Sequence, residues 1–134
     1  MVMKFTDAQM NGMLVNDGDF AEWYVEEFMR KHLQNYYYEI SDEGKREMTL
    51  NGRTYARAFG IDDPASQAKF VTLMWQVGAN FFEFPGFREI AHDRSLTAAQ
   101  KIDGFYGVPE DLAVEAIINP DERYWYPHMR ETAR

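Results

Sequence analysis

Glu89 and His92 stand three residues apart, a spacing that sets a carboxylate and an imidazole on one face of a helix. Half of a di-iron carboxylate motif has this form, but such a site needs a second Glu-x-x-His, and none occurs. His32 follows Glu26 and Glu27 at the wrong spacing to replace it. The pair therefore reads as surface residues balancing Arg88 and Arg94, and neither a metal nor another cofactor is expected. Glu22 and Glu26, four apart, form the other candidate acid–base pair. They lie near the start of an expected helix, where the dipole attracts carboxylates, and Glu26 meets Arg30 at the favourable four-residue spacing. A solvated acidic face accounts for them without catalysis. Nucleophilic chemistry has less support: there is no Cys and no Gly-x-Ser-x-Gly elbow. Ser41, Ser66 and Ser95 sit at expected helix starts, where free N–H groups need acceptors. Gly104 and Gly107 match neither a dinucleotide loop nor a P-loop. The chain is read as not an enzyme.

The elements that would carry these residues are helical. Thr6 can cap a short helix to about Leu14, and Asn16-Asp17-Gly18 signals a turn. Asp17 or Asp19 then caps a long helix from about Phe20 to Ile40, with Phe20, Trp23, Tyr24, Phe28, Leu33, Tyr37 and Ile40 near a three/four repeat. Over Ser41 to Phe59 two readings compete. Asn51-Gly52 is a hairpin signal. Met48, Tyr55, Ala58 and Phe59 nevertheless share a helical face, and the flanks are too short for a stable hairpin, so helix is preferred. Asp63-Pro64 opens a strongly apolar helix to about Ala79, expected to be central. Further helices are expected over about Phe87–His92, from the Thr97–Gln100 capping box to Tyr106, and from Pro109 to Ile118. The fold class is all-α: one compact helical bundle of about five to seven helices over 1–134.

The totals fit this reading. A chain of 134 residues, 46% hydrophobic with ten Phe, eight Tyr and three Trp, can build a core without staples. The net charge of −8 repels phosphate backbones, so no nucleic-acid partner is expected. Nothing approaches the roughly 18 consecutive apolar residues of a membrane span, and no basic start precedes an apolar run. The expected compartment is the cytoplasm, with no membrane partner. Acidity suits a protein partner with a basic contact surface.

Two aromatic clusters do not fit one helix face. Tyr36-Tyr37-Tyr38 spans about 200° of a helix, so one ring must be exposed or cover a loop. Tyr124-Trp125-Tyr126 lies in the tail 120–134, which either docks across the bundle and buries Trp125 or stays free as an anchor. Docking is preferred. In NFFEFPGF, Phe82, Phe84 and Phe87 either plug the end of the bundle or form an exposed patch.

Tyr55-Ala56-Arg57-Ala58-Phe59-Gly60-Ile61, Phe70-Val71 through Gly78, Phe81, Phe87-Arg88-Glu89-Ile90 and Lys101-Ile102 follow one another in an order that resembles small helical accessory proteins encoded beside bacterial type VI secretion effectors. That resemblance covers about half the chain and transfers no functional residue. It implies an immunity protein that neutralises a cognate toxin, or an adaptor or chaperone that holds an effector before loading. The candidate contact residues are Tyr124, Trp125 and Tyr126 as anchors, with Asp19, Glu22 and Glu26 supplying charge. The competing readings are a structural homo-oligomer with exposed Phe82, Phe84 and Phe87, and a metal-dependent enzyme built on Glu89 and His92.

Overall fold

The computed structural model describes residues 6–128, and every regular element among them is helical. Helix α1 (Asp7–Met13) opens on the expected Thr6 cap, which proves to be a full capping box: Thr6 Oγ1 accepts the Gln9 N–H at 3.1 Å, and Gln9 Oε1 accepts the Thr6 N–H at 2.8 Å. The next helix starts earlier than Phe20, because its cap is Asn16, whose Oδ1 accepts the Asp19 N–H at 2.8 Å. This helix, α2, is α-helical over Asp17–Trp23, widens to a π-helix over Tyr24–Met29 and closes with an α turn at Arg30–His32. The wide turn moves the inward face along by one residue. Met29 is fully buried where the three/four repeat points to Phe28, and Phe28 is left half-buried, stacked on Tyr24 and tilted against His32.

The expected long helix to Ile40 is broken at Leu33, whose backbone leaves the helical region (φ −131°, ψ 51°). The break sets α3 (Gln34–Glu39) at a new angle and gives three consecutive tyrosines separate places. Tyr36 leans on Trp75 with centroids 4.7 Å apart, the Tyr37 ring covers the Lys45 ammonium at 3.6 Å, and Tyr38 stays 73% exposed. This extra break brings the number of helices among the described residues to eight, one above the expected range.

Helix α4 (Asp42–Ala58) passes straight through Asn51-Gly52, so the hairpin alternative falls. Gly52 is there for contact rather than for a turn. A Cβ on it would lie 2.9 Å from a Val71 methyl and 3.2 Å from Met74 sulfur, so the glycine lets α4 close on α5 (Pro64–Gln76). Asp63 caps α5 through the Ser66 N–H at 3.0 Å, Pro64 follows in the first turn, and eleven of its residues are buried. It is the central helix, as its apolar pattern requires.

Beyond α5, a 3-10 turn at Phe81–Glu83 leads to Gly86, whose φ of 92° re-aims the chain into α6 (Phe87–Ala91). Helices α7 (Ala98–Tyr106) and α8 (Glu110–Ile118) follow, then a 3-10 turn at Glu122–Trp125. Phe81, Phe82 and Phe87 are buried against Phe70 and Phe105, and Phe84 is half-buried. The Phe-rich turn therefore plugs the bundle, which removes the exposed patch behind the homo-oligomer reading. Buried apolar residues from Leu14 to Trp125 form one continuous core. No described helix is long and apolar enough to cross a membrane.

Candidate functional site

Helix α8 is short and apolar on more than one side. Its inward residues are Ala116, fully buried, with Leu112 and Ala113 half-buried. Val114 and Ile118, four residues apart, lie on the opposite side and Ile117 on the flank between, and the three are 38%, 66% and 50% exposed in that order. A nine-residue helix has been given more apolar side chains than its core contact can cover. Exposed carboxylates surround the stripe: Glu110 and Asp111 in the first turn, and Glu115 one turn on.

Ile117 also forms one wall of a cleft of about 180 Å³, whose other lining residues include Tyr36, Trp75, Val77, Glu122 and Trp125. Three elements build it. The Leu33 break aims Tyr36 at Trp75, and the Tyr36 hydroxyl donates to the Trp75 carbonyl at 3.4 Å. The last turn of α5 supplies Trp75. The Glu122–Trp125 turn lays Trp125 onto Trp75, with ring centroids 4.2 Å apart. Trp75 Nε1 is buried and has no acceptor among the described residues. Buried donors nearly always find a partner, so an orphan in the wall of a cleft is a notable exception. Apolar stripe and aromatic cleft thus form one continuous surface with an acidic rim.

The aromatic turn is docked. Asn51 Nδ2 donates to the Trp125 carbonyl at 2.7 Å, and the Tyr55 hydroxyl donates to the Tyr124 carbonyl at 2.8 Å. Trp125 is 2% exposed, so its ring serves the core, while Tyr124 and Tyr126 are half-buried. The part of the tail over 129–134 lies outside the described residues. The acidic residues sit elsewhere. Asp19 and Glu22 are exposed near the start of α2, with Asp19 accepting from Asn16 Nδ2 at 2.7 Å. Glu26 is engaged internally, accepting the Tyr37 hydroxyl at 3.0 Å and facing Arg46 at 3.5 Å. That bond to the Glu26 carboxylate holds the Tyr37 hydroxyl above the usual tyrosine range.

These two groups do not share a surface. At about 100° per residue, the α4 positions that meet the aromatic turn (Gly44, Asn51, Tyr55) lie half a turn from those that meet α2 (Arg46, Arg53, Arg57). The tail and the acidic start of α2 therefore stand on opposite sides of α4. Only Trp125 of the six candidate contact residues lines the cleft.

Glu89 and His92 are not joined either. Glu89 Oε2 accepts the Gly86 N–H at 2.7 Å, and the His92 ring meets Phe59 edge-on at 5.3 Å. Among the described residues, no three His, Asp or Glu side chains gather to hold a metal ion.

Sequence reasoning missed Val114, Ile117 and Ile118 as surface residues and Trp75 as an orphaned donor. The visible signal for the first three was an apolar residue on every side of a nine-residue helix. No protein family, curated protein or solved structure matches this chain.

Proposed function

We propose that this chain is a non-catalytic protein-binding module, an immunity protein that occupies and neutralises a basic toxin in the cytoplasm. The observation that carries the proposal is the exposed Val114–Ile117–Ile118 stripe running into the cleft of Tyr36, Trp75 and Trp125. Contiguous exposed apolar surface rimmed by polar residues marks interaction sites, and aromatic pockets are where binding energy concentrates. The rim here is acidic, and the whole chain carries −8, so a partner with a basic contact surface is drawn in and oriented. Asp19 and Glu22 contribute to that long-range field from another face. The partner's apolar side chains cover the stripe.

The test is parallel capture from host lysate with tagged wild-type chain and with a chain carrying Ile117→Glu and Ile118→Glu. Both substituted residues are exposed, so the fold is retained. The expected result is one stoichiometric partner from a neighbouring gene, lost with the double variant, whose toxicity disappears when the wild-type chain is supplied. Equal capture by both chains removes this surface from the account. A partner that stays fully active in the complex shifts the function to an effector-loading adaptor or chaperone.

A further inference from the structure

Three basic side chains are buried among the described residues, and they are not held alike. Lys45 Nζ reaches Asp42 at 3.2 Å, and Arg53 reaches Asp17 at 3.0 Å. Lys101, 6% exposed, has no ion pair among the described residues. Its Nζ donates to the Phe59 carbonyl at 2.6 Å and to the Ala91 carbonyl at 2.8 Å, at the C-terminal ends of α4 and α6. Helix C-termini attract a cation with only a fraction of a charge. Two of the three N–H groups are occupied, and no described residue accepts the third.

Lys101 lines a cleft of about 400 Å³ together with Phe59, Gly60, His92, Arg94 and Leu96. Arg94 and His92 are exposed at this cleft and form no ion pair among the described residues. The nearby carboxylates each have one oxygen engaged by another group. Asp93 feels the Lys101 charge, but its Oδ1 is held by the Ser95 N–H and hydroxyl at 2.9 and 2.6 Å. Glu89 is held by Gly86 N–H. Two of the four arginine and lysine side chains without an ion pair among the described residues, Arg94 and Lys101, therefore line one concave site with partly apolar walls.

We infer that this cleft binds the carboxylate of a small organic acid. The third Lys101 N–H and the Arg94 fork hold the carboxylate oxygens, because charge-assisted and bidentate hydrogen bonds are the strong ones. His92 stands beside them, and Phe59 and Leu96 cover the hydrocarbon body. A phosphate dianion suits the site less well. The two helix ends facing Lys101 are C-termini, whose negative ends oppose a second negative charge, whereas phosphate sites are built on N-termini.

The experiment is an NMR titration of the uniformly ¹⁵N-labelled full chain with sodium hexanoate. Sodium chloride at matched ionic strength and inorganic phosphate serve as comparisons. Hexanoate is expected to give saturable shifts at Gly60, Leu96 and Lys101, and chloride none. Arg94→Ala, at an exposed position, is expected to weaken hexanoate roughly tenfold or more while leaving the rest of the spectrum in place. Lys101→Met takes a donor from two helix ends and risks unfolding, so Arg94→Ala carries the test. The inference is overturned by shifts that do not saturate, by saturation with phosphate but not hexanoate, or by unchanged hexanoate affinity in Arg94→Ala.

Discussion

Replacing Arg53 with Met should cost more than any surface substitution on this protein, and the cost can be worked from its contacts. The guanidinium is 2% exposed, lies 4.2 Å over the Phe20 ring, and donates to Gln67 Oε1 (2.7 Å), Leu14 O (2.9 Å), Val15 O (3.0 Å) and Asp17 Oδ1 (3.0 Å). Burial holds it below the usual arginine range, so part of the gain from these bonds already offsets desolvation. Methionine keeps the apolar stem and removes every donor. Asp17 and Val15 are exposed, so water replaces the arginine there. Leu14 O and Gln67 Oε1 are buried, and Gln67 cannot turn away because its Nε2 donates to Ile61 O at 3.0 Å. Two stranded acceptors at about 1–3 kcal/mol each, less the relieved desolvation, give a net loss of about 2–4 kcal/mol. Urea denaturation followed by circular dichroism reads this directly. With a slope of about 1–3 kcal/mol per molar, the midpoint should fall by roughly 1–2 M. Adding Gln67→Leu exchanges one stranded acceptor for another, because the Ile61 carbonyl loses its Nε2 donor, so the double variant should be no more stable than the single one. A loss under about 1 kcal/mol, or a double variant clearly more stable than the single one, refutes this reasoning.

Trp125→Ala should destabilise by about 3–5 kcal/mol in the same assay, because the ring is buried on Trp75. A tail truncated after Asp121 should lose stability with it, so weakened partner binding by such a chain is no evidence for a direct tail contact. Gly52→Ala should lower the melting temperature although alanine favours helix by about 1 kcal/mol, since its Cβ would sit 2.9 Å from the stiff Val71 side chain; an unchanged or higher value contradicts the close-approach argument. Burial raises the Tyr24 hydroxyl above its ordinary value of 10.0, so the folded state keeps a proton that the unfolded chain releases. Stability should therefore be unaffected by this group below pH 10 and fall above it by up to about 1.4 kcal/mol per pH unit. Tyr24→Phe should show an alkaline slope shallower by one proton, and equal slopes would contradict it.

Where the sequence carried local chemistry, it was readable. The Thr6 cap, the Thr97 capping box and the Asp63-Pro64 start formed as their residue types require, because caps depend on a few neighbouring atoms. The central place of α5 followed from apolar residues on nearly all its sides. The break at Leu33 was not legible, since no glycine or proline marks it; it goes with Tyr36 finding Trp75, distant in the chain, and Tyr37 finding Lys45 on the next helix. Gly52 mimicked a turn signal for the same reason, its partner being Val71 on another helix. The candidate site was least visible. A stripe such as Val114–Ile117–Ile118 looks like core until the packing shows which side of α8 is already covered by Ala116. Nor could spacing reveal that the aromatic turn and the acidic start of α2 lie on opposite sides of α4.

The central claim is that Ile117 and its neighbours form the partner-binding surface. It is tested most directly by calorimetric titration of the captured partner into wild-type chain and into Ile117→Glu, at one salt concentration. The account predicts that the glutamate weakens binding by about thirtyfold or more, as expected for an anchor near the centre of an interface, with folding stability unchanged. Equal dissociation constants for the two chains would contradict it.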